Sequence, residues 1–454
     1  MRYVTLRAAP LLCLAAGLFL AAPLAGQVPD TVLTLAGARS LLRQGSPDYR
    51  AALAAADVAS EEVWSAWGSL LPTATLQANF GRTEFTTRTF VDPIGVSQEV
   101  DPPVTDVSKS VYQSLVFNWS VFEGGRQFFD IGAANARARA ADLAAVARRV
   151  QLESQLETQY FEALKQQELA RLARDLLAAR RRDLEITQAR FRIAAVAQTD
   201  VLQAEIQVGQ QQLAALRAEL AAEAARRELS KLVGLEEEAA YELRDTALVF
   251  DPSQLRRDEL IVQARRSNPE LARLDANIDA QSRSLWSARG SWLPNVSLSF
   301  SLNRSERLGP EGSMFTWDPR NTGQNFSVNL SWPLFNGFEK KWRTGQASAR
   351  LQEARHNKVA GLLEVEKEVR NAYDALFAGY QSLRLQARNV ELARESVRLQ
   401  TERYRIGAAT YIELQNATTQ LTQAEQGLIE ARYEFMKSFA QLQGAVGRPI
   451  AVPQ

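Results

Sequence analysis

The sequence predicts a mainly α-helical, elongated protein: a long coiled-coil helical tunnel joined to a small transmembrane β-barrel to which each chain gives four strands. Three observations predict it. Two runs of about 70 residues, Gly125 to Ala195 and Phe338 to Gly407, contain no proline. Four segments alternate large apolar with small polar residues. The whole arrangement is also written twice along the chain.

The repeat organises everything else, because a chain that duplicates one unit builds its fold from two copies of it. Ser46-Pro47-Asp48 is echoed by Asn268-Pro269-Glu270, Trp64-Ser65-Ala66 by Trp286-Ser287-Ala288, and Leu71-Pro72 by Leu293-Pro294, all at an offset of 222. Past the strands the offset becomes 213. It relates Trp119 to Gly124 with Trp332 to Gly337, Phe191-Arg192-Ile193 with Tyr404-Arg405-Ile406, and Leu232-Val233-Gly234 with Ala445-Val446-Gly447. The first copy therefore carries nine extra residues between its strands, where a surface loop tolerates insertion. The predicted layout is a first repeat over 27–234, a linker over 235–257, a second repeat over 258–448 and a tail over 449–454. Each repeat reads helix, strand, loop, strand, very long helix, turn, helix.

A proline-free run of about 70 residues makes a helix on the order of 100 Å long, which no globular domain buries singly. The other helical stretches are about half as long: Thr34 to Leu70 and Pro252 to Trp292 before the strands, Thr199 to Val233 and Thr410 to Val446 after the turns. Two half-length helices stacked end to end match one long one, which predicts a cylinder of long helices alternating with stacked pairs. In the last helix Leu414, Leu421, Leu428, Phe435 and Leu442 recur every seven residues, with Ala417, Ala424, Ala431, Ser438 and Ala445 between them. That period predicts knobs-into-holes packing at close separation. Val201, Ala204, Val208, Ala215, Ala218, Ala222, Ala225, Leu229 and Leu232 form a weaker version, interrupted by Gln211.

The strand segments run Thr75 to Phe80, Ser114 to Val121, Val296 to Asn303 and Phe326 to Leu334. One apolar and one small polar face suit a strand between lipid and a wet lumen. Asp92-Pro93, Asp101-Pro102-Pro103, Gly309-Pro310 and Asp318-Pro319 read as exposed turns. Four strands cannot close a ring, and open edges are not tolerated in hydrocarbon. Two chains would supply eight strands and three would supply twelve. A lumen favours three.

Residues 1–26 read as an export signal, with Arg2 and Arg7 ahead of the apolar stretch Pro10 to Ala22 and small residues at Ala21, Ala22, Ala25 and Gly26. Cys13, the one cysteine, lies inside it, so the remainder has no thiol chemistry. Past that signal the chain holds 51 basic and 52 acidic residues, a balance that gives no support to nucleic acid as a partner. No enzyme is predicted, and no catalytic, cofactor or metal residue is assigned. His356 is the sole histidine, in a polar helical stretch, and no phosphate loop, dinucleotide fingerprint or nucleophile elbow occurs. Phe122-Glu123-Gly124-Gly125 reads as a strand-to-helix bend, and Glu236-Glu237-Glu238 as solvated linker.

The duplicated unit, the Leu-Pro lead-in to each first strand (Leu71-Pro72, Leu293-Pro294) and the Trp-x-Val/Leu-Phe-x-Gly exits (Trp119 to Gly124, Trp332 to Gly337) together resemble the TolC-type outer-membrane efflux family. So do the turn segments Phe191 to Ala204 and Tyr404 to Ala417. The resemblance implies a homotrimer with a 12-stranded barrel in outer-membrane lipid and a helical tunnel in the periplasm. It implies the passive exit duct of a tripartite efflux or type I secretion system, docked tip-first on a periplasmic adaptor and through it on an inner-membrane transporter. The competing reading is a periplasmic structural coiled coil without a pore. By the same resemblance Thr199, Asp200, Tyr404, Glu413 and Asn416 line a periplasmic gate, with Asn416 in place of a second acid and Ala409 in place of an arginine that helps hold the tip shut. Ile193, Ala194, Ala195, Val196, Ile406, Gly407 and Ala408 form the adaptor-facing tip, Ala194 standing where the second copy has Gly407. Thr410-Tyr411-Ile412-Glu413 is also a capping box, and Thr199 is positioned to cap its own helix. Capping and gating are both open to Glu413.

Overall fold

A computed structural model describes residues 32–194, 196–235, 241–245, 249–308, 321–406 and 408–451. The export signal at 1–26, Ala195, Gly407, the acidic run at 236–238, the Gly309-Pro310 and Asp318-Pro319 turns and residues 452–454 lie outside the described residues. In chain order the elements are β1 (Val32–Leu33), α1 (Leu35–Gly45), α2 (Pro47–Gly68), β2 (Thr73–Val91), β3 (Ser97–Glu123), α3 (Arg126–Arg192) and α4 (Gln198–Val233). There follow β4 (Glu242–Leu243), α5 (Arg257–Ser267), α6 (Pro269–Gly290), β5 (Asn295–Leu308), β6 (Thr322–Ser331), α7 (Glu339–Arg405) and α8 (Tyr411–Val446).

Helix lengths pair off across the two halves: 67 residues each for α3 and α7, and 36 each for α4 and α8. The stretches ahead of the strands are not single helices. Each breaks into 11- and 22-residue pieces at Ser46-Pro47 and Asn268-Pro269. The physical cause is proline, which lacks an N–H and pushes the preceding residue out of the helical region. Ser46 (φ −61°, ψ 120°) and Asn268 (φ −68°, ψ 120°) are accordingly extended.

These breaks are where the half-length helices stack. The end of α4 meets the α1–α2 break, and an added Cβ on Gly234 (φ 74°) would lie 2.5 Å from the Gly45 carbonyl oxygen. The end of α8 meets the α5–α6 break in the same way, with a Cβ on Gly447 (φ 84°) falling 3.0 Å from the Pro269 ring. The resulting wall has four columns in the order α4 with α2, α3, α8 with α6, and α7. Along α8 the seven-residue seam is buried or half-buried throughout, from Leu414 and Ala417 to Leu442 and Ala445. Gln211, which interrupts the weaker seam of α4, donates its side-chain amide to the Ala173 carbonyl at 3.1 Å.

The main core lies at mid-height. Leu33 and Leu42, Leu152, Leu156 and Tyr160 of α3, Val369 and Leu376 of α7, and Phe435, Phe439 and Leu442 of α8 are all buried there. The linker joins this core and is not merely a surface connection. Its Tyr241, Leu243 and Phe250 are buried, and β4 pairs in parallel with β1. The Tyr160 hydroxyl donates to the Leu33 carbonyl at 3.0 Å and approaches the Arg244 carbonyl at 2.8 Å, fastening that pair. Burial pushes this phenol up to about 12.

The four long strands form one antiparallel sheet in the order β2-β3-β5-β6. They outrun their alternating segments: β2 spans 19 residues and β3 spans 27. Asp101-Pro102-Pro103 is not a turn. It lies within β3, at a register break where Thr87 pairs with Val104 but Thr89 with Glu99, and a bulge admits residues that cannot donate to the ladder. The expected turn at Asp92-Pro93 is present, closed by hydrogen bonds between Asp92 and Val96 and from the Gly95 amide to the Asp92 carbonyl. The Phe122 to Gly125 bend is present too, with Gly124 (φ 64°) and Gly125 (φ 77°) in the left-handed region.

Candidate functional site

Nearest the helices the sheet has one polar and one apolar face; farther out Gln113, Arg304 and Glu306 interrupt the apolar one. On the polar face Ser114 donates to Asn303 at 2.6 Å and Ser299 to Asn118 at 2.9 Å across the β3–β5 ladder. The other face stacks Leu76 on Leu115 and Leu302, and Phe117 on Phe300 with ring centroids 6.3 Å apart. In the single chain that apolar face is open: Leu76, Phe326, Val328 and Leu330 are largely exposed. Where strands meet helices stands a belt of tryptophan that motif reading missed. Seven of the eight tryptophans, Trp64, Trp67, Trp119, Trp286, Trp292, Trp332 and Trp342, lie within about ten residues of that junction. Trp119 and Trp332 anchor their indole N–H groups on the Leu70 and Trp292 carbonyls. Amphipathic rings of this kind collect at membrane–water boundaries. Their spacing beside each strand was the available signal.

Both layers end in open edges. β2 and β6 are paired on one side only. In the helical wall the outermost columns carry apolar stripes facing nothing in the chain. On α4 these are Leu202, Ile206, Leu213, Leu216 and Leu220, and on α7 they include Leu385, Leu392 and Leu399 at seven-residue spacing. Each stripe falls on one helical face.

The far end of the wall is formed by the α3–α4 and α7–α8 turns. Glu413 caps α8: its carboxylate accepts from the Thr410 amide at 2.7 Å and the Thr410 hydroxyl at 3.1 Å, while the Glu413 amide donates to Thr410 Oγ1 at 3.3 Å. The Thr410 amide holds the Glu413 carboxyl below the usual carboxylate range. At α4 the arrangement differs from expectation. Thr199 is not the cap, because the helix starts one residue earlier, at Gln198, leaving Ala197 in the capping place. With no side-chain oxygen there, only the acidic half of the box forms, the Asp200 carboxylate accepting from the Ala197 amide at 3.2 Å.

Thr199 is exposed in the first turn of α4 and Asn416 is exposed on α8. Tyr404, in the last turn of α7, lies 6.1 Å from Tyr411 between ring centroids, with the Arg190 guanidinium 6.0 Å from its own ring. Ile193 and Ile406 are about three-quarters exposed, Ala408 is exposed and Val196 is half-buried. Ala194 takes φ 56°, a conformation that glycine adopts more easily. Ala195 and Gly407 lie outside the described residues. Among the described residues no group of His, Cys, Asp and Glu is placed to hold a metal, and no helix is long and apolar enough to cross a membrane.

A profile of the outer membrane efflux protein family matches residues 38–235 and 260–448. The chain belongs to that family. Outer membrane protein TolC of Vibrio cholerae is 25% identical over 409 residues, covering 89% of this chain and 88% of that one. The alkaline protease secretion protein AprF of Pseudomonas aeruginosa is 27% identical over 298 residues, 63% of this chain and 60% of its own length. Nodulation protein T of Rhizobium leguminosarum bv. trifolii aligns over a similar share, 61% of its length at 24% identity. The matches thus span about three-fifths of the last two relatives. Among solved structures, the outer membrane protein VceC of Vibrio cholerae superposes with a TM-score of 0.72 at 19% identity, covering 91% of this chain and 96% of that one. The open-state outer membrane channel MtrE of Neisseria gonorrhoeae gives 0.71 at 18% identity, covering 91% and 89%. Family and fold place the chain in the outer membrane, strands in the bilayer and helices in the periplasm, as a channel-type transport protein.

Proposed function

We propose that this chain is the passive exit duct of a tripartite efflux or type I secretion system, working as a homotrimer. The observation that carries the reading is the coincidence of edges. A four-stranded sheet with two unpaired rims continues into a four-column helical wall whose outer columns expose apolar stripes. Copies of the chain satisfy both layers at once, β6 of one meeting β2 of the next while α7 meets the neighbour's α4. Three copies give twelve strands and twelve columns, a ring with a wet bore, whereas eight strands barely enclose a side-chain core. The extra layer of α1, α5 and the linker fits outside the ring, since columns 8–10 Å apart leave no bore wide enough for three such layers within.

In this reading the tip residues Thr199, Asp200, Tyr404, Glu413 and Asn416 line the periplasmic mouth, and Asp200 with Glu413 makes it favour cations. Ile193, Ala194, Val196, Ile406 and Ala408, with Ala195 and Gly407, meet a periplasmic adaptor, which links the duct to an inner-membrane transporter. Energy comes from that transporter. The domain layout of two repeats joined by a mid-height linker belongs to the same proposal. The test is single-channel recording in planar bilayers. Wild type conducts with cation preference, and Asp200→Ala with Glu413→Ala raises conductance and lowers that preference. Pores with neither effect would move the gate elsewhere; no pore at all would sink the duct.

A further inference from the structure

Where α8 ends and α6 begins, the wall is recessed on one side. A groove of about 920 Å³ runs over that joint between α3 and α7. Its walls are short side chains: Gly444 and Ala445 on α8, Ala372 and Ala375 on α7, Ala144 and Ala147 on α3. At the offset of 213 the first joint has Lys231 and Leu232 where α8 has Gly444 and Ala445, so stacking alone does not make the recess. Glycine also seats the helices closely beneath it. A Cβ on Gly444 would fall 2.5 Å from Ser154 Oγ, and one on Gly361 would fall 2.6 Å from Leu274 Cδ1. The groove looks away from the outer layer. On α7, Glu366 pairs with Arg265 of α5 and the Tyr373 hydroxyl donates to the Leu255 carbonyl at 3.1 Å. Glu364, Glu368, Asn371 and Ala375, at three- and four-residue spacing, lie on the opposite face and line the groove. On α3, Glu153 and Glu157 pair with Arg43 and Arg39 of α1, whereas Gln151 and Gln155 line the groove.

The charges in this groove are unequally satisfied. Glu270 accepts two bonds from Arg273, at 2.6 and 2.8 Å, and Glu364 accepts from Lys367 at 2.6 and 2.7 Å. Arg148 donates to Gln151 at 2.9 Å. Glu368 accepts no hydrogen bond from any described residue. Burial, reinforced by the charge of Glu364, holds its carboxyl above the usual carboxylate range. A cation of the right shape relieves both costs. No aromatic ring is among the described residues lining the groove, so its attraction for a cation comes from carboxylates. The volume is that of a small-molecule pocket, roughly 300–1,000 Å³. We propose that the groove binds a monovalent organic cation with an apolar body, the body on Ala372, Ala375 and Ala445 and the charge at Glu368 and Glu364, and that in the ring three such sites open into the bore at mid-height. Their place in the bore rests on the exit-duct reading; the binding itself does not.

Tetraphenylphosphonium and tetraphenylborate, alike in shape and opposite in charge, are the probes. Equilibrium dialysis of the full-length protein in detergent, with protein-free detergent as the blank, reads the binding of each. Tetraphenylphosphonium is retained above the blank and tetraphenylborate is not. Glu368→Gln weakens that binding about two- to fivefold, the range a solvent-accessible ion pair supports, and Glu364→Gln/Glu368→Gln weakens it further. Ala375→Leu fills the groove from an exposed position and weakens binding with both carboxylates intact. Glu391→Gln removes a carboxylate that pairs with Arg388 elsewhere on α7 and leaves binding unchanged. Equal retention of the two probes, or wild-type affinity in either the double carboxylate variant or Ala375→Leu, overturns the site and leaves the duct intact. In planar bilayers the bound probe lowers the cation preference of the wild-type pore and not that of the double variant. A wild-type pore unaltered by the probe takes the groove out of the bore. A protein that binds the probe in the expected pattern yet forms no pore overturns the duct, not the site.

Discussion

The open apolar edge of α7 sets a measurable price on trimer assembly. Leu392 and Leu399 are 55% and 50% exposed in the single chain. Burying a whole leucine side chain stabilises by about 1.5–3 kcal/mol, so covering the open half contributes about 0.7–1.5 kcal/mol. Two leucines at each of three interfaces then contribute roughly 4–9 kcal/mol per trimer. Replacing both with alanine removes most of that, and a loss of about 4 kcal/mol lowers the association constant about a thousandfold. Mass photometry of detergent-solubilised protein reads the trimer fraction directly as concentration falls. Circular dichroism of the dissociated chain checks that helices survive. If the stripe merely faced water, the same pair would change stability by no more than about 0.5 kcal/mol per residue. A doubly substituted protein that stays trimeric at the dilution where wild type does would refute the assignment of α7 to the seam.

Two further outcomes follow from the stacking joints and the core. Gly234→Ala places a methyl group against the Gly45 carbonyl in a left-handed backbone, so it lowers the thermal midpoint by several degrees; Gly209→Ala, mid-helix with nothing within 4 Å, raises it slightly. Glu162 is opposed by burial, yet hydrogen bonds from Lys165, Gln166 and Lys437 prevail and hold its carboxyl at about 2. A depressed folded value means that its contribution is present above the ordinary carboxylate range and lost as pH falls from about 4.5 towards 2. Glu162→Gln therefore flattens the acid limb of a denaturation profile in that window and leaves neutral-pH helicity unchanged.

Much of this architecture can be read from residue order, and the exceptions have particular causes. The two 67-residue helices were legible because nothing between Arg126 and Arg192, or between Glu339 and Arg405, interrupts the backbone ladder. The shorter helices were read as continuous because Pro47 and Pro269 each sit where the apolar period resumes, and the period alone does not show a break. The first strand runs on past Phe80, where Gly81 to Thr89 does not keep the alternation although the backbone ladder continues. Alternation reports only the part of a strand with two different environments. At the tip, Thr410 and Glu413 formed the box their spacing predicts, while the first copy has alanine in the capping place. Thr199 was misplaced because its type favours capping and its position does not. Tyr411 was hidden inside that same box, since a capping pattern says nothing of what its middle residues touch.

The inequality of the two hairpins shapes the outer end of the molecule. At about 3.3 Å per residue and the usual barrel tilt, the 19 residues of β2 rise about 45–50 Å, more than a hydrocarbon core of about 30 Å. The 10 residues of β6 rise only about 25 Å by the same measure. In the proposed ring the three β2–β3 hairpins would then stand as raised points above the ends of β6. In that ring Phe85 to Val104, the outer part of the β2–β3 hairpin, would reach beyond the hydrocarbon and be what the surroundings touch.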